Sequence, residues 1–310
     1  MEHKKKLLLL IITILFSKPL YSMNPLLQYP CTPSNFGIIY KEVTFQTEDG
    51  LTLKGWFYPA QDTAGISNDL MGRLIVVPDS MKQKKKEYDY SGMVLPTIII
   101  CDGDAGNMAF SMFYAYHYFT KGYNVFTFDW RGFGESDPWN IAEDHLSCTE
   151  FLTDYAAAID FVKSMPEVDP GKIGLIGFST GAYLSFAMIA ERNDISAYIG
   201  RALISSFDDL VQTLQNISPD RKFAAPDEYP EYLLPIHTAE KVGIPVFLIV
   251  GEKDNRTPVW MSKEVYQKLK GPKELWIVPG AEHGGKNGPE MISYPEFFIK
   301  TQSFFDKYLK

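Results

Sequence analysis

An α/β fold with a mostly parallel central sheet is what this sequence predicts, and three observations carry the expectation. From Val43 to the C-terminus, short apolar runs alternate with segments of helical periodicity, the pattern of strand–helix–strand units. Most of these runs are apolar at nearly every position, as strands covered on both faces are. Several are followed at once by a polar, glycine-bearing segment, the composition of a loop that turns a strand into a helix.

The elements follow in order. "KEVTFQT" and "LTLKGWFY" flank Glu48-Asp49-Gly50, which reads as an antiparallel hairpin at the start of the domain. "TIIIC" (97–101), "NVFTFDW" (124–130), "KIGLIGF" (172–178), "RALISS" (201–206), "PVFLIV" (245–250) and "ELWIV" (274–278) supply the remaining strand candidates. A helix is expected after Ser147, with Glu150 completing a capping box and Phe151, Tyr155, Ala158, Ile159 and Val162 forming its apolar stripe. Ala182 to Arg192 reads as a second helix. Near the C-terminus Phe297, Phe298, Thr301, Phe304, Phe305 and Tyr308 repeat the helical spacing; such an aromatic stripe packs on a sheet rather than holding a cofactor. Residues 60–96 are longer than a simple connection and contain "RLIVV" (73–77), so an inserted excursion is expected there. The whole is one domain over 41–310, preceded by an extension at 23–40.

Charge and composition exclude some functions. The 310 residues carry a net charge of -8, which argues against nucleic acid as a partner, since phosphates call for a basic face. The basic run Lys82–Glu87 reads as a solvated loop. At the N-terminus, His3 to Lys6 precede the apolar run Leu7–Phe16, and a small residue follows at Ser22. That is the layout of a signal peptide over 1–22 and of a periplasmic or secreted protein. The run is shorter than the ~20 residues a spanning helix needs; an uncleaved anchor, with membrane association through the N-terminus, is the alternative. Cys31 is preceded by Pro30 rather than by the small residue of a lipidation site. Cys31, Cys101 and Cys148 are too few for a disulfide framework.

Chemistry is expected where parallel strands end, because ligands collect at their carboxyl ends. The segments there would gather Ser179, Asp254 and His283. "GFSTG" (177–181) lies between a strand and a helix, and its glycines would let the chain turn sharply and hold the serine hydroxyl clear. A serine hydroxyl needs a base within hydrogen-bond reach, an imidazole suits that task, and a carboxylate fixes the imidazole tautomer. Other readings fit worse. "GFGESD" lacks the third glycine of a dinucleotide fingerprint. "DGDAGN" (102–107) places Gly106 where a calcium loop needs a ligand. His117, His145 and His237 lack metal-ligand spacing. No cofactor and no metal are expected.

Four motifs in this order resemble the α/β-hydrolase superfamily, within it the α/β-hydrolase-domain serine hydrolases: "FDWRGFGES" (128–136), "GFSTG", "GEKDNRTP" (251–258) and "GAEHG" (280–284). The resemblance covers roughly residues 41–309 and implies the α/β-hydrolase fold, with helices on both faces of the sheet. It implies Ser179 as nucleophile, Asp254 as orienting acid and His283 as base. The backbone N–H groups of Thr180 and Asp104 would form the oxyanion hole. Asp129, Arg131, Gly132, Gly134 and Ser136 would stabilise the neighbouring loop. The implied activity is serine esterase or thioesterase action on a small-molecule or lipid-like acyl substrate. An aminopeptidase- or amidase-like hydrolase and a non-catalytic binding protein are the alternatives. Two departures stand out. Asp102 and Asp104 occupy the histidine and first asparagine of the family's H-G-N-A-G-N. The Asp104 carboxylate would therefore point away, held by Asn107 or a nearby N–H, or be protonated, or meet a substrate amine. Residues 207–242, where many relatives carry a cap domain, are short and would form a small lid.

Overall fold

The computed structural model describes residues 22–66 and 92–310. Among these residues eight strands form the main sheet: β1 Lys41–Gln46, β2 Thr52–Tyr58, β3 Leu95–Cys101, β4 Asn124–Phe128, β5 Val168–Phe178, β6 Ala197–Arg201, β7 Val246–Gly251 and β8 Lys273–Val278. Their spatial order is β1-β2-β4-β3-β5-β6-β7-β8. The β1–β2 and β2–β4 pairs are antiparallel and every other pair is parallel. Among the described residues, six helices of two turns or more connect them: α1 Met112–Phe119, α2 Phe151–Ser164, α3 Thr180–Glu191, α4 Phe207–Ile217, α5 Val259–Lys268 and α6 Glu296–Leu309.

The inner strands are largely apolar because each faces two cores, whereas the edge strands β1 and β8 keep exposed or half-buried positions along their length. On one side α2, α3, α4 and α5 cover Phe57, Phe126, Leu175, Tyr198 and Leu248. On the other, α1 and α6 cover Trp56, Tyr58, Ile98, Ile176 and Ile249. The C-terminal aromatic stripe is core packing, with Phe297, Phe304 and Phe305 buried in the second layer. After β3 the chain passes to the α1 side, and after β5 it passes to the α3 side. The two loops therefore diverge at adjacent strand ends and leave a crevice between them.

Several expectations need correction. The strand assigned to "RALISS" is Ala197–Arg201, so only Arg201 of that run is in the sheet. Ala202 adopts a positive φ of 53° and turns the chain. Leu203 and Ile204 are buried in the loop that follows, so burial rather than strand pairing accounts for their apolar character. The capping box at Ser147 does not form. The Ser147 hydroxyl donates to the Cys148 carbonyl (3.4 Å), and tight turns at 148–152 delay the helix to Phe151. The proposed signal run Leu7–Phe16 and the "RLIVV" run of the 60–96 excursion lie outside the described residues. Among the described residues no helix is long and apolar enough to cross a membrane.

Candidate active site

Ser179 joins β5 to α3 with φ 52° and ψ -116°, a backbone state that a non-glycine residue holds only under constraint. Its neighbours explain how. A Cβ on Gly181 would sit 2.1 Å from the Asp102 carbonyl oxygen, and one on Gly177 would sit 2.6 Å from Ala182 Cα. Glycine at both positions lets α3 close onto the ends of β3 and β5. The Ser179 amide donates to the Arg201 carbonyl (3.0 Å), and its carbonyl accepts from the Ala182 amide (2.9 Å). The serine is thus held at the amino end of a buried helix, where unpaired amides and the helix dipole favour negative charge.

His283 and Asp254 come from the loops after β8 and β7. Those loops lie against each other because Gly251 has no side chain: a Cβ there would meet the Glu282 carbonyl oxygen at 2.4 Å. His283 Nε2 lies 3.1 Å from Ser179 Oγ, and its Nδ1 lies 2.9 and 3.1 Å from the two Asp254 carboxylate oxygens. With the ring proton on Nδ1, the imidazole donates to Asp254 and accepts from the serine hydroxyl. The Asp254 side chain is fully buried. It also accepts from the amides of Arg256 (3.0 Å) and Thr257 (2.9 Å) and from the Thr257 hydroxyl (2.8 Å). These bonds satisfy the carboxylate and fix its direction, which buried charge requires.

Asp104 and Thr180 line the same small cleft as Ser179 and His283. Leu146, Tyr183, Ile204, Leu210 and Leu214 make the walls of this cleft mainly apolar. Asn107 does not hold the Asp104 side chain, because its amide nitrogen donates to the carbonyls of Leu26 (2.9 Å) and Gln28 (3.0 Å). The partner of Asp104 is Arg256, whose Nη2 lies 3.8 Å from its carboxylate. Asp102, at the family's histidine position, shapes the loop locally. It accepts from the Ser111 hydroxyl (2.5 Å) and the Gly103 amide (3.0 Å). Desolvation raises the pKa of its carboxyl, and these two bonds and Arg201 offset part of that rise.

Two features escaped the sequence. Arg256 reads there as one residue of a loop motif. Arg201 reads as the start of a strand, yet it ends one and is buried. It pairs with buried Glu290 at 2.5 Å, and its guanidinium lies against the rings of Phe178 (4.6 Å) and Tyr114 (4.8 Å). Glu290 follows His283 in the chain, so this pair ties the histidine loop to the strand beside the serine. A cation inside an apolar run was the available signal. The residues around Asp129 stay out of the cleft. Arg131 is buried with Asp154 (2.7 Å) and reaches Asp49 (2.6 Å), and Ser136 Oγ donates to the Asp129 carbonyl (2.8 Å). Among the described residues no group of three or more His, Cys, Asp or Glu side chains could hold a metal ion.

Comparison with known proteins decides the family. Residues 109–310 match the family model described as the prolyl oligopeptidase family. The chain belongs to the prolyl oligopeptidase family. The matched span includes Ser179, Thr180, Asp254 and His283, whereas Asp104 precedes it. Uncharacterized protein Rv2307c of Mycobacterium tuberculosis is 26% identical over 252 residues, which cover 81% of this chain and 74% of that one. Among solved structures, the Pyrococcus furiosus esterase Pf2001 superposes with a TM-score of 0.67 at 19% identity, over 94% of this chain and 100% of that one. An acylaminoacyl peptidase superposes with a TM-score of 0.61 at 20% identity, over 87% of this chain and 42% of that one. This prolyl oligopeptidase family member is a serine hydrolase of the α/β-hydrolase fold.

Proposed function

We propose that the protein hydrolyses acyl esters or thioesters through an acyl-enzyme formed on Ser179. The observation that carries this reading is the hydrogen-bonded row Ser179–His283–Asp254, built on a strained turn at the mouth of a small apolar cleft. Ser179 Oγ attacks the acyl carbonyl carbon while His283 Nε2 takes its proton. The resulting oxyanion faces the backbone amides of Thr180 and Asp104. The imidazolium, held by Asp254, returns the proton to the departing alcohol or thiol as the carbonyl reforms. Water then attacks the acyl-enzyme by the same route, and the acid leaves. A single amide donor to the oxyanion is worth about 2.7–4 kcal/mol.

The apolar walls suit a small or medium acyl group. Peptide or amide cleavage is the second reading, favoured by the family and by the acylaminoacyl peptidase among the similar structures. The ester reading ranks first because Asp104, the carboxylate in the cleft that could greet a substrate amine, already faces Arg256. Ser179→Ala is expected to fold normally, to lose labelling by a serine-reactive phosphonate, and to lose roughly 10⁶-fold in kcat on a short-chain aryl ester. A variant that keeps wild-type turnover overturns the assignment. Parallel assays on aryl esters and on aminoacyl anilides separate the two substrate readings.

A further inference from the structure

The Asp102–Asn107 loop needs support from outside itself. It contains Gly103 and Gly106, the latter at φ 90°, and glycine widens the backbone choices of any loop. Asp102 anchors its upstream end through Gly103. Downstream, the anchor comes from a segment roughly eighty positions earlier in the chain. Asn24–Pro25 pairs in parallel with Ala105–Gly106. The Asn24 amide donates to the Asp104 carbonyl (2.7 Å) and the Leu26 amide donates to the Gly106 carbonyl (2.8 Å). Asn107 returns two side-chain bonds to Leu26 and Gln28, and the Gly134 amide donates to the Leu26 carbonyl (3.1 Å).

Both ends of this segment are fastened. At its start Met23 is buried in the core. The Tyr29 hydroxyl donates to one oxygen of buried Asp129 (2.6 Å), whose other oxygen accepts from the Met108 amide (2.7 Å), next after the loop. Between the fasteners, Pro25 and Leu27 face solvent. A surface segment packed only for stability would bury its apolar side chains. This one instead spends its backbone donors on the two carbonyls that bracket Ala105.

We propose that residues 23–29 are a positioning strap for the hydrolytic reaction, holding the Asp102–Asn107 loop so that the Asp104 amide meets the oxyanion. The proposal rests on the oxyanion role of that amide given above, and the test separates the two. In the full chain, Leu26→Pro removes the donor to Gly106 and Leu26→Ala retains it. Leu26→Pro is expected to lower kcat on a short-chain aryl ester by roughly 10-fold to 100-fold, approaching the loss of an oxyanion donor, with KM changed less than about threefold. Leu26→Ala should restore kcat, and both variants should give the wild-type urea midpoint. Asp104→Pro deletes the proposed oxyanion donor itself and should lose on the order of 10²-fold or more. Full kcat in Leu26→Pro beside a crippled Asp104→Pro overturns the strap and leaves the function standing. Full kcat in both overturns the oxyanion role as well. If Leu26→Pro does not fold, Tyr29→Phe, which releases the strap at Asp129, is read by the same kcat-against-KM criterion, and an unchanged kcat there overturns the strap.

Discussion

Gly181 carries more of the site than its size suggests, because the space its missing side chain leaves is filled by the carbonyl oxygens of Cys101 and Asp102 at 2.2 and 2.1 Å from a Cβ position. Backbone cannot swing aside as a side chain tip can. Gly181→Ala should therefore push α3 away from β3, costing about 1–3 kcal/mol as overpacking does, and lower kcat more than it raises KM. Gly243 offers the contrast, since a Cβ there meets nothing within 4 Å; Gly243→Ala should stay within about 0.5 kcal/mol. Urea unfolding and ester kinetics on the two variants check the pair. An unperturbed Gly181→Ala would mean that the tight elbow is not what places the serine. At this scale the meeting of Ser179, Asp254 and His283 in one place was legible, because each follows a strand whose apolar run announces it. The partners Arg256 for Asp104 and Glu290 for Arg201 were not, because only the register of the strands and the path of the loops bring them together.

Helix α4 borders the cleft. The Ser206 hydroxyl caps it, accepting from the Asp209 amide (3.2 Å), and Asp208 and Asp209 in its first turn suit the helix dipole. Its Leu210 and Leu214 close one wall of the cleft. Leu210→Ala should open that wall and raise kcat/KM for a hexanoyl ester relative to an acetyl ester by about threefold to tenfold, the worth of one or two buried methylenes. An unchanged ratio would place the acyl group elsewhere. Element boundaries were legible where strand pairing and burial coincide, as in β7. They were misread where burial acts alone. "RALISS" looks like a strand because the protein covers it, while the true strand "AYIGR" carries Gly200 and a terminal arginine that dilute its signal. Ser147 and Glu150 have the spacing of a capping box, but the chain makes its own turns there and the spacing is coincidental.

For the whole molecule, the parallel sheet, the N-terminal hairpin and the two helical layers could all be read from periodicity, whereas the strap could not: "NPLLQY" has neither strand nor helix pattern, and its pairing partner is remote. Asp129, the carboxyl to which the strap is fastened, gives global stability a pH dependence of its own. Burial raises the pKa of this carboxyl to about 7, with the Tyr29 and Met108 bonds offsetting only part of the desolvation. The native state therefore holds a proton that the unfolded chain, with an ordinary carboxyl pKa near 3.8, releases. The stability this proton contributes is fully present below the unfolded value and is lost as pH rises through about 7, on the order of 4 kcal/mol in all. Asp129→Asn should flatten the urea-midpoint profile between pH 4 and 7; an equally sloped profile would assign the slope to other groups. The strap has one more consequence, in the language of linkage. If docked residues 23–29 stabilise a filled oxyanion hole, a filled hole must stabilise their docking by the same free energy. A phosphonate bound to Ser179 is therefore communicated to the surface through Asp104, and the amides of Asn24 and Leu26 should exchange their hydrogens more slowly in the inhibited protein than in the free one.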